Sequence, residues 1–146
     1  MRIYLAAPSS QMALMPQIAA EFEAAGHTIT ERWWERDNFL PYDDPNYHKA
    51  RNWNNLEDQA VSDYLGVVNA DAVVVINSEV SEGKATEMGI AIALFKPIIL
   101  IGQRSRNVFH YMPNVQVVPS IAVALYRLSV GDRRLKEREA VQGATR

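Results

Sequence analysis

The chain has no cysteine, which removes disulfides and thiolate sites for zinc or an iron–sulfur cluster from consideration. That composition suits a reducing cytoplasm. Charge of one sign is lacking too: 15 Lys and Arg against 17 Asp and Glu leave a net charge of −2. No strong field would draw in nucleic acid or an anionic membrane, so a DNA-binding role is not expected. Long hydrophobic runs are missing, because the apolar stretches are interrupted by Asn77, Glu79, Lys96 and Pro97; none is long enough to span a membrane. The opening Met1–Pro8 is too short an apolar run for a secretory signal. Internal repeats, low-complexity tracts and linkers are absent as well. What the chain does have is ordinary globular composition, 48% hydrophobic and 22% charged over 146 residues, which fits one domain with a real core. The expected division is a domain over residues 1–131 and a charged tail over 132–146.

Four short runs rich in β-branched residues, Ile3–Ala6, Thr28–Thr30, Ala72–Ile76 and Ile98–Ile101, predict strands, with Val115–Val118 as a fifth. They lack clean polar alternation, as strands buried on both faces of a parallel sheet do. Helical spacing runs between them. Ser10 to Ala25 places Met12, Met15, Ile18, Ala19, Phe22 and Ala25 three and four residues apart, and Gly26 ends it. Leu56 to Asn69 repeats the pattern, Gly83 to Phe95 is apolar on most sides, and Ile121 to Leu128 predicts a last helix. Strands alternating with helices imply right-handed crossovers and a single-domain, doubly wound, mainly parallel five-stranded α/β sheet of flavodoxin or Rossmann type. Glu31 to Asn55 does not fit this layout. It is long for a loop and carries Trp33, Trp34, Phe39, Tyr42, Tyr47, His48 and Trp53, and loops of such length are usually functional or disordered. The aromatic content argues against disorder.

Ligands of open α/β sheets sit beyond the carboxyl ends of the strands, which directs attention to the segments following each one. After the first strand comes Ala7-Pro8-Ser9-Ser10-Gln11, after the third Asn77 to Gly89, and after the fourth Gly102 to Asn107. Glu87 falls early in an otherwise apolar helix, where a residue that only packs would not be an acid. A helix N-terminus favours negative charge, so Glu87 could stay ionised and nucleophilic while partly buried; equally, it could cap its helix or pair with Lys84 or Lys96. Asp63, on the helix before the third strand, could point towards the sheet edge or simply face solvent. Asp71 fits an end-of-helix turn.

Taken in order, these segments resemble the nucleoside 2-deoxyribosyltransferase superfamily. Ile3-Tyr4-Leu5-Ala6-Ala7-Pro8 is similar to its first strand and nucleoside-binding turn. Asp63 to Asp71 followed by Ala72–Ile76 is similar to its second-helix Asp, Ala-Asp turn and third strand. Ser81-Glu82-Gly83 through Glu87-Met88-Gly89 is similar to its Gly-x-x-x-Glu-x-Gly signature, with Glu87 sixteen residues after Asp71. The resemblance implies that Glu87 attacks C1′ of a 2′-deoxyribose to give a covalent deoxyribosyl-enzyme, through an oxocarbenium-like transition state. It implies that Asp63 handles the proton of the leaving base and that Tyr4 orients Glu87 and the sugar. Ala7, Ser9 and Gly83 would line the substrate site. A free base then accepts the sugar, as in a nucleoside 2-deoxyribosyltransferase, with no metal or cofactor expected.

Ser81 bears on the substrate. At this position the transferases typically carry Asp for the sugar hydroxyls, whereas the 2′-deoxynucleoside 5′-monophosphate N-glycosidases, which are hydrolases, carry Ser for the phosphate. Against the nucleotide branch, Ser9-Ser10-Gln11 lacks that branch's Arg, and Glu82 adds negative charge; the balance favours nucleosides. The resemblance further implies a homodimer or larger homo-oligomer with shared active sites. In it the loop after the fourth strand lends a residue to a neighbour: Asn107, or alternatively His110. Trp33 and Trp34 would stack on a nucleobase or build a subunit interface. More distant alternatives are a TIR-like NAD hydrolase, which also uses a helix Glu, and a non-catalytic nucleotide-binding module. A receiver-type version of the latter is disfavoured, because Ala6-Ala7-Pro8-Ser9 has no acidic cluster.

Overall fold

A computed structural model describes residues 1–36 and 53–144. The expectations attached to Phe39, Tyr42, Tyr47 and His48, and to the side chain of Trp53, lie outside the described residues. Five strands, β1 (Arg2–Ala6), β2 (Thr28–Ile29), β3 (Ala72–Asn77), β4 (Ile98–Gly102) and β5 (Val115–Val118), form one sheet in the order β2-β1-β3-β4-β5. Every pairing is parallel. Among the described residues four α-helices connect or follow them: α1 (Met15–Ala24), α2 (Trp53–Asn69), α3 (Glu82–Ala93) and α4 (Ile121–Ala144).

The β-branched runs became strands because both faces of the central sheet are covered. Ile3, Leu5, Val73, Val74, Val75 and Leu100 are fully buried. Helix α1 contributes Met15, Ile18, Ala19 and Phe22 to this core, four of the six residues its periodicity singles out; Met12 is half-buried in the turn before it and Ala25, just past its end, is exposed. The helix is shorter than its apolar spacing suggests: Ser9–Leu14 winds as a 3-10 helix, and α1 proper begins at Met15 with Pro16 in its first turn. Proline lacks the N–H an interior turn needs but suits a first turn, where that donor has no partner anyway. Gly26, at φ 85°, ends α1 in the left-handed region. At the other end of the chain α4 runs on to Ala144, so residues 132–144 continue the last helix.

Strand order places the site. The chain leaves β1 towards β2 on one side and returns to β3 on the other, so the direction of winding reverses between β1 and β3. A crevice opens at the carboxyl ends of such a strand pair. In register, Ala6 lies opposite Val75 and Asn77 opposite Gly102, which brings the turns after β1, β3 and β4 to one edge. Lys96 steadies this arrangement by donating to carbonyls at the end of α2, Val68 O at 2.8 Å and, just beyond it, Ala70 O at 2.6 Å, a favoured place for a cation.

Candidate active site

The site is built outward from Tyr4, whose side chain is fully buried. Neighbouring strand residues face opposite sides of a sheet, so Tyr4 projects away from Ile3 and Leu5, towards α2 and α3. Its hydroxyl donates to Glu87 Oε1 at 2.7 Å and lies 3.4 Å from Asp63 Oδ1. Helix α2 comes close enough because residue 66 is glycine. A Cβ there would sit 2.7 Å from Glu31 Cβ and 2.9 Å from two ring atoms of Tyr4. Thr30 Oγ1 donates to the Gly66 carbonyl at 2.8 Å, fastening this turn of α2 to the end of β2.

Glu87 is on the second turn of α3. With Oε1 held by Tyr4, its Oε2 is buried and has no hydrogen-bond partner among the described residues. Burial pushes the carboxyl pKa up to about 8; the Asp63 charge adds to this, while the Tyr4 hydrogen bond and the Arg36 charge oppose it. Burial, followed by the charges of Glu87 and Asp63, drives the Tyr4 phenol far upward, so Tyr4 stays a donor at any ordinary pH. Neither lysine pairs with Glu87. Lys84 Nζ donates to Asn77 Oδ1 at 2.6 Å and to the Glu79 carbonyl, and Lys96 is spent on α2.

Asp63 does not face solvent freely. Arg36, just past the 3-10 turn Trp33–Glu35, donates from Nη2 to Asp63 Oδ1 at 2.6 Å and from Nη1 to Oδ2 at 3.2 Å. Nη2 also reaches Glu31 Oε1 at 2.9 Å, and Ser62 Oγ donates to Glu31 Oε2 at 2.9 Å. Burial works against the Arg36 charge, but its bonds to Asp63 and Glu31 prevail and hold the guanidinium above its ordinary pKa. Reading the sequence missed Arg36 and Glu31. The available signal was only that both lie in the long segment after β2.

The turns around this centre are tied together. Ala7 and Pro8 are buried behind β1, Ser9 opens the following 3-10 helix, and Ser10 Oγ donates to Glu79 Oε1, linking the turns after β1 and β3. Ser81 is the N-cap of α3, its hydroxyl accepting from Lys84 N at 3.4 Å, and Gly83 is exposed in the first turn. Trp33 is buried, donating from Nε1 to the Leu5 carbonyl at 2.9 Å and meeting Trp34 edge to face at 5.6 Å. Both indoles belong to the core in this chain. On the loop after β4, Asn107 caps the 3-10 turn Val108–Tyr111, Oδ1 accepting from Phe109 N at 3.0 Å. His110 is buried, with Nδ1 accepting from Ser105 N at 3.2 Å. Burial lowers its pKa, and the charges of Lys84 and Arg104 lower it further. The fold thus brings Tyr4, Asp63 and Glu87 into one hydrogen-bonded group and leaves Asn107 and His110 on a separate loop.

Among the described residues no cluster of three or more His, Asp or Glu could hold a metal ion. No helix among them is long and apolar enough to cross a membrane. The arrangement at the centre suits displacement at carbon: one carboxylate oxygen is oriented, the other is open, and a second carboxylate stands beside them.

Comparison with known proteins agrees with this fold. No curated protein matches the sequence. The solved structure of the CMP N-glycosidase BcmB from Clostridium botulinum superposes with a TM-score of 0.56 at 18% identity, covering 88% of this chain and 99% of that one; at that identity it speaks for the fold. The family model described as nucleoside 2-deoxyribosyltransferase matches residues 3–136, a span that includes all but the first residue of β1, the other four strands, Asp63 and Glu87. By that match the chain belongs to the nucleoside 2-deoxyribosyltransferase family.

Proposed function

We propose that this protein is a nucleoside 2-deoxyribosyltransferase with Glu87 as nucleophile. The observation that carries the reading is the state of the Glu87 carboxylate: Oε1 is fixed by Tyr4, and Oε2 is buried and unpartnered. A buried polar atom without a partner is costly, and such costs are tolerated where a substrate supplies the missing interaction. Oε2 attacks C1′, the C1′–N bond breaks with its electron pair passing to the base, and an ester to deoxyribose forms. A nitrogen of a second base then attacks C1′ and releases Glu87. The departing base needs a proton, and Glu87 must lose one before it attacks. Tyr4 stands between Glu87 and Asp63, so Asp63 is the group through which that proton reaches the base.

The mouth of the site favours nucleosides over monophosphates. Glu79, held by Ser10, puts a carboxylate across the turns where a 5′-phosphate would come, and like charges there repel. A second reading, monophosphate hydrolysis, rests on Ser81 at the N-cap of α3, because helix N-termini favour anions; BcmB, the structural neighbour, is a CMP N-glycosidase. Asn107 completes the site from a neighbouring subunit, with the exposed Val108, Phe109 and Tyr111 beside it as the apolar surface for that contact.

Mass spectrometry of products from deoxynucleosides and deoxynucleotides, with and without a free acceptor base, tests the proposal. New nucleosides formed only with acceptor, together with a deoxyribosyl adduct on Glu87, are expected. Release of free sugar phosphate from monophosphates alone would establish the second reading. In that case Ser81→Ala weakens monophosphates by about 1.5–3 kcal/mol and leaves nucleosides nearly unchanged.

A further inference from the structure

Arg36 is the one cation in direct contact with the carboxylates of the site among the described residues, and its side chain is only 16% exposed. Its guanidinium bridges Asp63 and Glu31 from a single nitrogen, Nη2, and adds a second bond from Nη1 to the other oxygen of Asp63. A planar fork of this kind fixes the plane of a carboxylate, not merely its position. A carboxylate offers about four acceptor positions. Asp63 Oδ1 accepts from Arg36 and lies 3.4 Å from the Tyr4 hydroxyl, whose one proton goes to Glu87, and Oδ2 accepts from Arg36. Among the described residues one position on Oδ2 is left open.

We propose that Arg36 is a positioning residue for the reaction at Glu87: it fixes Asp63 against Tyr4, aims the open position of Oδ2 at the base, and supplies the positive charge that offsets the Asp63–Glu87 pair. The inference rests on the reading of Glu87 as nucleophile, and it extends the machinery to a residue that touches no substrate atom. Without Arg36, Asp63 and Glu87 would be two carboxylates bridged by one phenol, and ionising both would meet uncompensated repulsion. Among the described residues the groups that face Glu87 are Tyr4 from β1, Asp63 from α2 and Arg36 from the segment after β2, and Arg36 is the only cation of the three. Its charge lowers the Glu87 pKa, against the larger effect of burial. Glu31, itself held by Ser62, keeps the fork from turning away from Asp63. A surface tether would need none of this: Arg32, four residues earlier, pairs with Glu23 and Glu35 at the surface and does not reach the site.

The test uses Arg36→Gln and Arg36→Lys in the full chain, with two independent readouts. The first is the pH dependence of base release. The second is titration of the Glu87 carboxyl by carbon NMR of glutamate-labelled protein, assigned with Glu87→Gln, which needs no activity. Removing the charge in Arg36→Gln is expected to move the Glu87 titration and the rising limb of the rate profile to higher pH together, and to cut kcat roughly 100-fold, the scale of a misplaced reacting group, with KM changed less. Arg36→Lys, which keeps charge but not the fork, is expected to restore the titration and only part of kcat. An unchanged Glu87 titration in a folded Arg36→Gln protein would overturn the inference. If Arg36→Gln does not fold, wild-type kcat in Arg36→Lys would overturn it just as well, and a reduced kcat with normal titration would support it. Should the titration move as expected in a protein that releases no base from any deoxynucleoside, the charge coupling of Arg36 to Glu87 stands, and it is the proposed reaction, with the positioning role built on it, that fails.

Discussion

Glu87 carries its proton at neutral pH because burial costs the charged form more than Tyr4 and Arg36 return. That has consequences for stability as well as rate. In the unfolded chain the carboxyl titrates near its ordinary 4.5, and in the folded protein near 8. Below the lower value both states hold the proton. Between the two values only the folded state does, so this group's contribution to stability is lost as pH rises towards and through 8. Glu87→Gln should flatten that slope and gain on the wild type as pH rises, visible as Tm compared at pH 5 and pH 8.5, while base release disappears. A folded Glu87→Gln with near-normal turnover would end the nucleophile assignment. Tyr4→Phe keeps the buried ring and loses the bond to Oε1. The expected loss is about 1.5–3 kcal/mol of transition-state stabilisation, the range for a hydrogen bond to a charged group, with the rising limb of the rate profile displaced upward. An acid in an apolar helix draws attention to Glu87 in the sequence, but those residues alone leave a helix cap or a lysine pair open, and only the family resemblance singles it out as a nucleophile. Arg36 was not legible. Arg32 and Arg36 look alike in sequence, and only the turn between them decides that one lies at the surface and the other turns inward. Its aromatic ring suits Trp33 to a nucleobase or a subunit interface, but the sequence does not show which surface it meets; in the fold it is buried in the core.

At the scale of elements, the strands were readable because two covered faces demand β-branched residues on both, and α1, α2 and α3 were readable from apolar spacing. Their ends were less so. Pro16 moved the start of α1, and the charge-rich stretch after Leu128 hid the continuation of α4 because its pattern of acids and bases carries no apolar stripe. The order of the strands has no local signature at all. Gly66 is an element-level requirement of the same kind. It is spaced like any helix residue, yet it sets how near α2 lies to β1. Gly66→Ala should force Tyr4 and Glu31 aside, since neither contact is the far end of a flexible chain. A cost of roughly 1–3 kcal/mol, typical of overpacking, is expected in chemical denaturation, with activity falling more than stability because the displaced atoms belong to the site. Full activity in Gly66→Ala would mean that the approach of α2 to Tyr4 is not what aligns Asp63.

For the molecule as a whole, the proposed sharing of sites between subunits is open to a direct test. Mixing Glu87→Ala with Asn107→Ala protein, each inactive alone, should restore activity. One intact site forms per mixed pair only when the two residues come from different chains. A fully active stable monomer would exclude the arrangement. Another consequence concerns time rather than geometry. The contacts that define the centre join residues far apart in the chain: Tyr4 to Glu87 across 83 positions and to Asp63 across 59, and Arg36 to Asp63 across 27. Parallel pairings of such separation are late and slow to form. Until β1 has docked beside β3, Glu87 is an ordinary solvated glutamate with no tyrosine to orient it. If Glu87 is the nucleophile, the chain acquires its proposed reactive oxygen only in the last stages of folding, and recovery of activity during refolding should lag behind recovery of helix.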